Sequence, residues 1–431
     1  MTCPDYIYPI DVHGESSNHG VDLLEGFRAS FKSRHGGYAY MTPALLPFAI
    51  SRRAADEIWA VTQECLCALR TVLRGEIDSA PAEFLSTLGY SESDSCWLMS
   101  MLNPPNMATA AALARADFVL SAEGPRLVEI NVGPALGGIG IIDRYADLLE
   151  SALASPASAD TPGRMRGLPA TRSIHALAQT LRELARCKDE RIRVALVIAD
   201  DEAEFPNAYE IAAYLTNEGV DSDVVRIDEI VVDSRASYTG SGPVDLIYGC
   251  FTFGKLVNPR YRKFANDALS AQASGGPSYL SPPLFSLLGN KALLALAGEA
   301  MPRQVQKTTV LDGAALEGAM ARKDRLVLKP AIGYGGEDVA IGAGCSAETW
   351  EISLNRATAA GRRYVLQEYV EPAPLEFLVA GETLRREVVL GCLSLGGRFA
   401  GYFIRHLPAG TGEPINTNLG ATFGGAAIMA N

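Results

Sequence analysis

Asp117, Glu129 and Asn131 are oxygen-bearing side chains in one short stretch, Arg115-Ala-Asp-Phe-Val-Leu-Ser-Ala-Glu-Gly-Pro-Arg-Leu-Val-Glu-Ile-Asn131. Residues 118–120 and 127–130 read as short apolar strands, and Glu123-Gly124-Pro125 between them supplies turn chemistry. The spacing predicts a hairpin with Asp117 opposite the 129–131 end and with Glu129 and Asn131, two apart, on one face. Hard cations such as Mg2+ take oxygen ligands and share them with substrate phosphates, so this trio suits a nucleotide-bound metal. Glu-x-Asn by itself is more often a solvated strand end, because such short patterns recur by chance.

A second group of residues suits phosphate. Arg325-Leu-Val-Leu-Lys329-Pro-Ala-Ile-Gly-Tyr-Gly-Gly336 sets a lysine at the end of a strand, with Gly333, Gly335 and Gly336 directly after it. Glycines let backbone N–H groups turn towards phosphate oxygens while the lysine adds a point charge. No Gly-Lys-Ser/Thr follows, so this is not a Walker sequence, and a plain Gly-rich turn is the alternative. Ser286-Leu-Leu-Gly-Asn-Lys291 offers another lysine at a helix start. Gln367-Glu368-Tyr369-Val370 ends an apolar strand before Glu371-Pro-Ala-Pro, and either presents backbone and an aromatic face to a base or simply runs into a loop.

These residues need elements to hold them. A helix is expected over 54–73, with Ile58, Val61, Cys65, Leu69 and Val72 at helical spacing and Gly75 as its stop. Residues 151–173 are rich in Ser, Ala, Pro and Gly and read as a linker before a helix at 174–186. Residues 193–199 form a buried-type strand, 208–217 a helix, and 223–227 and 244–249 two further strands, which together suggest a small parallel-sheet module. Strand, Gly-rich turn and strand recur over 324–342. A helix over 347–359 and strands over 364–370, 387–390 and 399–404 follow. No internal repeat is present. The expected division is 1–150, 151–189 (linker and helix), 190–290 (the parallel-sheet module) and 291–431.

The 431 residues, 48% hydrophobic and 20% charged, have the balance of a chain with a sizeable core. A formal charge of −12 and a pI near 5.1 argue against nucleic acid or an anionic membrane as partner. The eight cysteines are dispersed without a Cys-x2-Cys pair and read as reduced thiols of a cytoplasmic protein. His13, His19 and His35 match no zinc spacing. The N-terminus lacks a basic region followed by an apolar core, and no apolar run reaches about 18 residues, so no export or membrane signal is expected.

Taken in combination, the motifs resemble the ATP-grasp superfamily. Lys291, Lys329, Gly333 to Gly336, Gln367 to Val370 and Arg405 follow that family's order. Arg115-Ala-Asp117 and Glu129-Ile-Asn131 stand at the front of the chain instead of the back, as in the circularly permuted ATP-grasp proteins, a group that includes glutathionylspermidine synthase. The resemblance implies an α/β (α+β) ATP-grasp fold, circularly permuted, with residues 190–290 as a parallel-sheet pre-ATP-grasp domain. It also implies an ADP-forming ligase that activates a small acid or amino acid as an acyl phosphate and joins it to an amine. Acyl transfer to a thiol such as a carrier protein is one alternative, and a nucleotide-binding module without turnover is another.

On that resemblance ATP and Mg2+ are the cofactors, with Asp117, Glu129 and Asn131 on the metal. Lys291, Lys329 and Gly333, Gly335 and Gly336 would take phosphates, Gln367, Glu368, Tyr369 and Val370 the base, and Glu376 the ribose. Arg405 would face the γ-phosphate and Arg115 the acyl phosphate, with Asn416 and Asn418 lining the site. Many relatives of this type carry an arginine after the strand ending at Tyr248. Here Gly249-Cys-Phe-Thr-Phe-Gly254 follows, which speaks against an acidic peptide such as glutathione as substrate.

Overall fold

The computed structural model describes residues 7–9, 42–43, 48–154, 170–185, 191–200, 206–379 and 382–429. The three N-terminal histidines, Cys3, Cys187 and most of the 151–173 linker lie outside the described residues. Strands are β1 (Ile7–Pro9), β2 (Thr42–Pro43), β3 (Phe48–Ile50), β4 (Leu113–Ser121) and β5 (Gly124–Val132). Next come β6 (Arg193–Ile198), β7 (Asp221–Arg226), β8 (Val231–Val232), β9 (Ser237–Thr239), β10 (Gly242–Pro243), β11 (Leu246–Cys250) and β12 (Ser278–Leu280). The rest are β13 (Thr308–Val310), β14 (Leu326–Pro330), β15 (Ala340–Ile341), β16 (Tyr364–Glu368), β17 (Leu375–Val379), β18 (Glu382–Leu395), β19 (Arg398–Pro408), β20 (Thr422–Gly424) and β21 (Ala426–Ile428).

Three sheets matter for function. A seven-stranded sheet runs β2-β20-β19-β18-β4-β5, with β17 on β18. A four-stranded sheet, β12-β11-β6-β7, is parallel throughout, and an antiparallel sheet of four runs β13-β16-β14-β15. The decisive pairing is β4 with β18, which sets Gly391 opposite Asp117 and joins the front of the chain to its back.

Period-2 alternation then separates core from cleft. Ala114, Ala116, Phe118, Val388, Leu390, Cys392, Tyr402 and Ile404 are buried in one core with the helix Arg52–Ser79. Their odd-numbered neighbours Arg115, Asp117, Val389, Phe403 and Arg405 line the opposite face. Burying a side chain such as Phe118 or Ile404 contributes about 1.5–3 kcal/mol. A one-residue slip would turn that whole set outward, so the register is strongly specified. In the third sheet Leu326, Leu328 and Leu366 pack with Trp350 of the helix Ala347–Ala359, which leaves Lys329 and Gln367 for the other side.

The long helix differs from its expected bounds. It starts after Ser51, whose side chain accepts from Ala54 N at 3.2 Å, and runs through Gly75 to Ser79. A Cβ at Gly75 would meet nothing, so the residue rides on an open face and costs the helix only about 1 kcal/mol. Pro81 ends the helix by pushing Ala80 out of the α region, to φ −148°. The helix Pro259–Ala273 and β12 were not anticipated. Among the described residues no helix is long and apolar enough to cross a membrane.

Candidate active site

A cleft of about 810 Å3 lies between the seven-stranded sheet and the β13-β16-β14-β15 sheet. Its floor begins at the hairpin. The turn Ala122–Glu123 closes at Gly124 (φ 107°), and the register pairs Asp117 with Glu129 and Arg115 with Asn131. An irregularity between Asp117 and Phe118 puts Val128 as well as Glu129 on the cleft.

Asp117 sits at the centre. Arg115 donates to it twice, Nε to Oδ1 at 2.7 Å and Nη2 to Oδ2 at 2.9 Å. Asn131 Nδ2 donates to Oδ2 at 2.8 Å, and Arg405 Nη2 lies 2.9 Å from the same oxygen. Although burial would raise the Asp117 carboxyl, the two guanidiniums hold it below the usual carboxylate range. The third donor of Arg115, Nη1, goes to Gly137 O at 2.8 Å. Arg405 is less well provided for. Burial lowers its pKa against the pull of Asp117, and its Nε has no hydrogen-bond partner among the described residues. The Phe403 ring lies beside both, 5.5 Å from the Arg115 guanidinium carbon and 5.6 Å from that of Arg405.

Gly391 makes this arrangement possible. A Cβ there would stand 2.7 Å from Arg115 Cδ, 3.0 Å from Asp117 Oδ1 and 3.0 Å from Phe403 O. Glycine is required for space, since its backbone is not in the left-handed region.

The lysines approach from the other side. Lys291 Nζ reaches Glu129 Oε1 at 2.9 Å and Gly333 O at 3.3 Å. Lys329 Nζ donates to Gln367 Oε1 at 2.7 Å and to Val128 O at 3.3 Å. Burial pulls the Lys329 ammonium down to about 8 in spite of the nearby Glu129 carboxylate. Glu129 itself is held low by Lys291 and Lys329, which outweigh its burial. The Gly-rich loop packs against the segment after β19. A Cβ at Gly335, where φ is +66°, would lie 2.5 Å from Asn418 Nδ2, and one at Gly336 would lie 3.1 Å from Leu419 Cδ1.

Asp117, Glu129, Asn131, Arg115, Arg405, Lys291, Lys329, Gly333, Gly335, Gly336, Asn416 and Asn418 thus all line one cleft, as do Gln367, Glu368, Tyr369 and Val370. Two residues depart from their expected placement. Gln367 lines the cleft, but its side chain is occupied with Lys329 and with Thr308 Oγ1 (3.0 Å), so it positions a lysine. The N–H groups of Glu368 and Tyr369 are likewise taken, by the carbonyls of Lys307 and Arg325. Glu376 is not among the cleft residues. It pairs with Arg385 across β17 and β18 at 3.6 Å, its side chain more than half exposed.

Glu387 stands in the cleft instead, on the face shared by Val389 and Gly391, and accepts from Gly410 N at 2.8 Å. Counting by twos along β18 from Gly391 would have found it, had the strand's length been known. Asn207, Thr252 and Lys255 also line the cleft without having been anticipated.

Asp117, Glu129 and Asn131 are unequally suited to Mg2+. Among the described residues no group of three or more His, Cys, Asp or Glu side chains could hold a metal ion. Glu129 is about a quarter exposed, and the Oδ1 of Asn131 is spared because Nδ2 makes the bond to Asp117. These two fit a hard cation that completes its shell with ligand oxygens. Asp117 has both oxygens engaged by guanidiniums and is a ligand only if one of them is drawn away.

No protein-family model and no curated protein matches the chain. Among solved structures, a glutathione synthetase-like effector from Globodera pallida in its apo form superposes with a TM-score of 0.58 over 98% of this chain and 100% of that one, at 13% identity. The chain shares the effector's fold. At that identity the likeness concerns the fold alone. D-cycloserine synthetase matches more weakly, with a TM-score of 0.29 at 22% identity over 45% of this chain and 67% of that one, and carries no argument.

Proposed function

We propose that the chain is an ATP-dependent, ADP-forming ligase of the circularly permuted ATP-grasp type, joining a small acid to an amine. One observation carries this reading. Arg115, Lys291, Lys329 and Arg405, each at most 9% exposed, gather in the cleft around Asp117 and Glu129, whereas its other acids, Glu337, Glu368, Glu387 and Glu413, are partly or fully exposed. A chain of net charge −12 thereby buries four cations at one place, which is complementary to a polyphosphate. The pairing of front strand β4 with back strand β18 supports the permuted order, and the similarity to a glutathione synthetase-like protein agrees with a ligase.

In this reading Lys291 and Lys329 grip the α- and β-phosphates, and Gly333, Gly335 and Gly336 close over them. Tyr369 and Val370 flank the base, and Glu387 takes the place assigned to Glu376 beside the ribose. Mg2+ held by Glu129 and Asn131 would neutralise charge on the phosphate oxygens. Arg405, whose Nε is unpaired, turns to the γ-phosphate, and Arg115 remains on Asp117 to stabilise the acyl phosphate and the oxyanion formed on attack. ADP release from Mg-ATP is expected to require both an acid and an amine when broad panels of each are screened. Nucleotide binding without acid-dependent ADP release would make the chain a binding module, and a thioester product would redirect the acyl group to a thiol.

Lys329 provides a pH test of the phosphate role. Only its ammonium form attracts phosphate, so ADP affinity is expected to weaken as pH rises through about 8, by up to about tenfold per pH unit, and Lys329→Met should remove that dependence. Stability should move the other way. Between about 8 and the ordinary lysine value of about 10.4, the unfolded chain holds the proton that the folded one has released, so this lysine makes the fold more stable as pH rises. Calorimetric ADP titrations across this range check the first expectation; a pH-independent affinity would remove Lys329 from the phosphate site.

A further inference from the structure

The parallel sheet has a point where its winding reverses. From β6 the chain passes through the helix Pro206–Asn217 to β7 on one side. From β11, on the other side of β6, it passes through the helix Pro259–Ala273 to β12, further out in the opposite direction. Ligands of open parallel sheets bind beyond the carboxyl ends of the strands at such a reversal. Here Asn207, after β6, and Thr252 and Lys255, after β11, line the cleft already described, together with Ala135, Leu136 and Ile141.

Asn207 is the telling residue. It is 3% exposed, and its Nδ2 donates to Leu136 O at 2.9 Å, which fixes the orientation of the amide. Its Oδ1 is buried and has no hydrogen-bond partner among the described residues, an arrangement that native proteins rarely keep without a use. The next carbonyl along, Gly137 O, is the one that anchors Arg115 Nη1. Asn207 and the oxyanion-stabilising arginine are thus tied to consecutive residues of one loop.

We propose that the nitrogen substrate enters at this reversal point, and that Asn207 Oδ1 accepts an N–H from a small neutral primary amine lying against Leu136 and Ile141. The inference rests on the ligase reading. A neutral acceptor suits the task, because a carboxylate there would favour the ammonium, which has no lone pair for attack. As the N–C bond forms, the C–O bond to phosphate breaks, phosphate leaves with the electron pair, and the surplus nitrogen proton passes to it.

The test compares wild type with Asn207→Leu, which keeps the branched shape and removes the acceptor together with the Nδ2 donor to Leu136 O. Mg-ADP affinity is measured by calorimetry, and ADP release is followed against a panel of small primary amines. The expected result is a rise of about fivefold to tenfold in the amine concentration for half-maximal rate, with ADP affinity unchanged. An unchanged amine dependence overturns the inference and leaves the ligase reading standing. Loss of ADP affinity in step with amine dependence also overturns it, by making Asn207 a packing residue. A wild type that binds Mg-ADP but releases none with any acid and amine defeats the ligase reading and this inference with it. Asn207→Ser is assayed in the same way if the leucine variant does not fold.

Discussion

Arg405→Met is expected to lower turnover by about a hundredfold to a thousandfold while the thermal midpoint holds steady or rises. The two effects share one cause. Arg405 is 5% exposed, its Nε lacks a partner, and burial works against its charge. Asp117 loses little by the change, since Arg115 still holds it at two points and Asn131 at a third. Methionine fills similar space without an unsatisfied donor, so the fold sheds a cost that only an incoming phosphate would offset. Rates of acid- and amine-dependent ADP release, measured beside melting curves on the same preparations, check this. A lowered midpoint with turnover intact would show Arg405 to be a structural cation for Asp117.

Asp117→Ala should act mainly on stability, costing about 3–5 kcal/mol because it leaves two buried guanidiniums without their shared anion. Turnover should vanish along with the ordered position of Arg115. The double variant Asp117→Ala with Arg405→Met is expected to recover a good part of the lost stability, since one of the stranded charges is gone. Denaturant unfolding of the two single variants and the double variant measures the coupling. Strict additivity would mean that Asp117 and Arg405 do not share a desolvated site, despite the 2.9 Å between them.

Legibility in the sequence followed the range of the forces involved. The hairpin carrying Asp117, Glu129 and Asn131 could be read because its turn and alternation are local, and it runs over Leu113–Ser121 and Gly124–Val132 around the expected core. The same holds for Lys329 at the end of β14 and for the helix Ala347–Ala359. Gly75 misled because a helix interior tolerates glycine wherever tertiary packing outweighs about 1 kcal/mol. Gln367 lies on the expected strand, but the bond from Lys329 to its side chain could not be read, since that partner comes from the neighbouring strand β14. Glu387 is not legible in the sequence because only the pairing of β18 with β4 and β19 decides which residues of that long strand face the cleft.

By itself the sequence determined the kinds of chemistry available: oxygen donors two apart on a strand, lysines at element ends and glycines after Lys329. Tertiary structure alone decided that these groups meet, that two arginines share Asp117, and that Asn207 and Glu387 join them. The reason is physical. Propensity and alternation act between neighbours along the chain, whereas the pairing of residue 117 with residue 391 follows from burying the even-numbered faces of distant strands in a common core. No local signal encodes that choice.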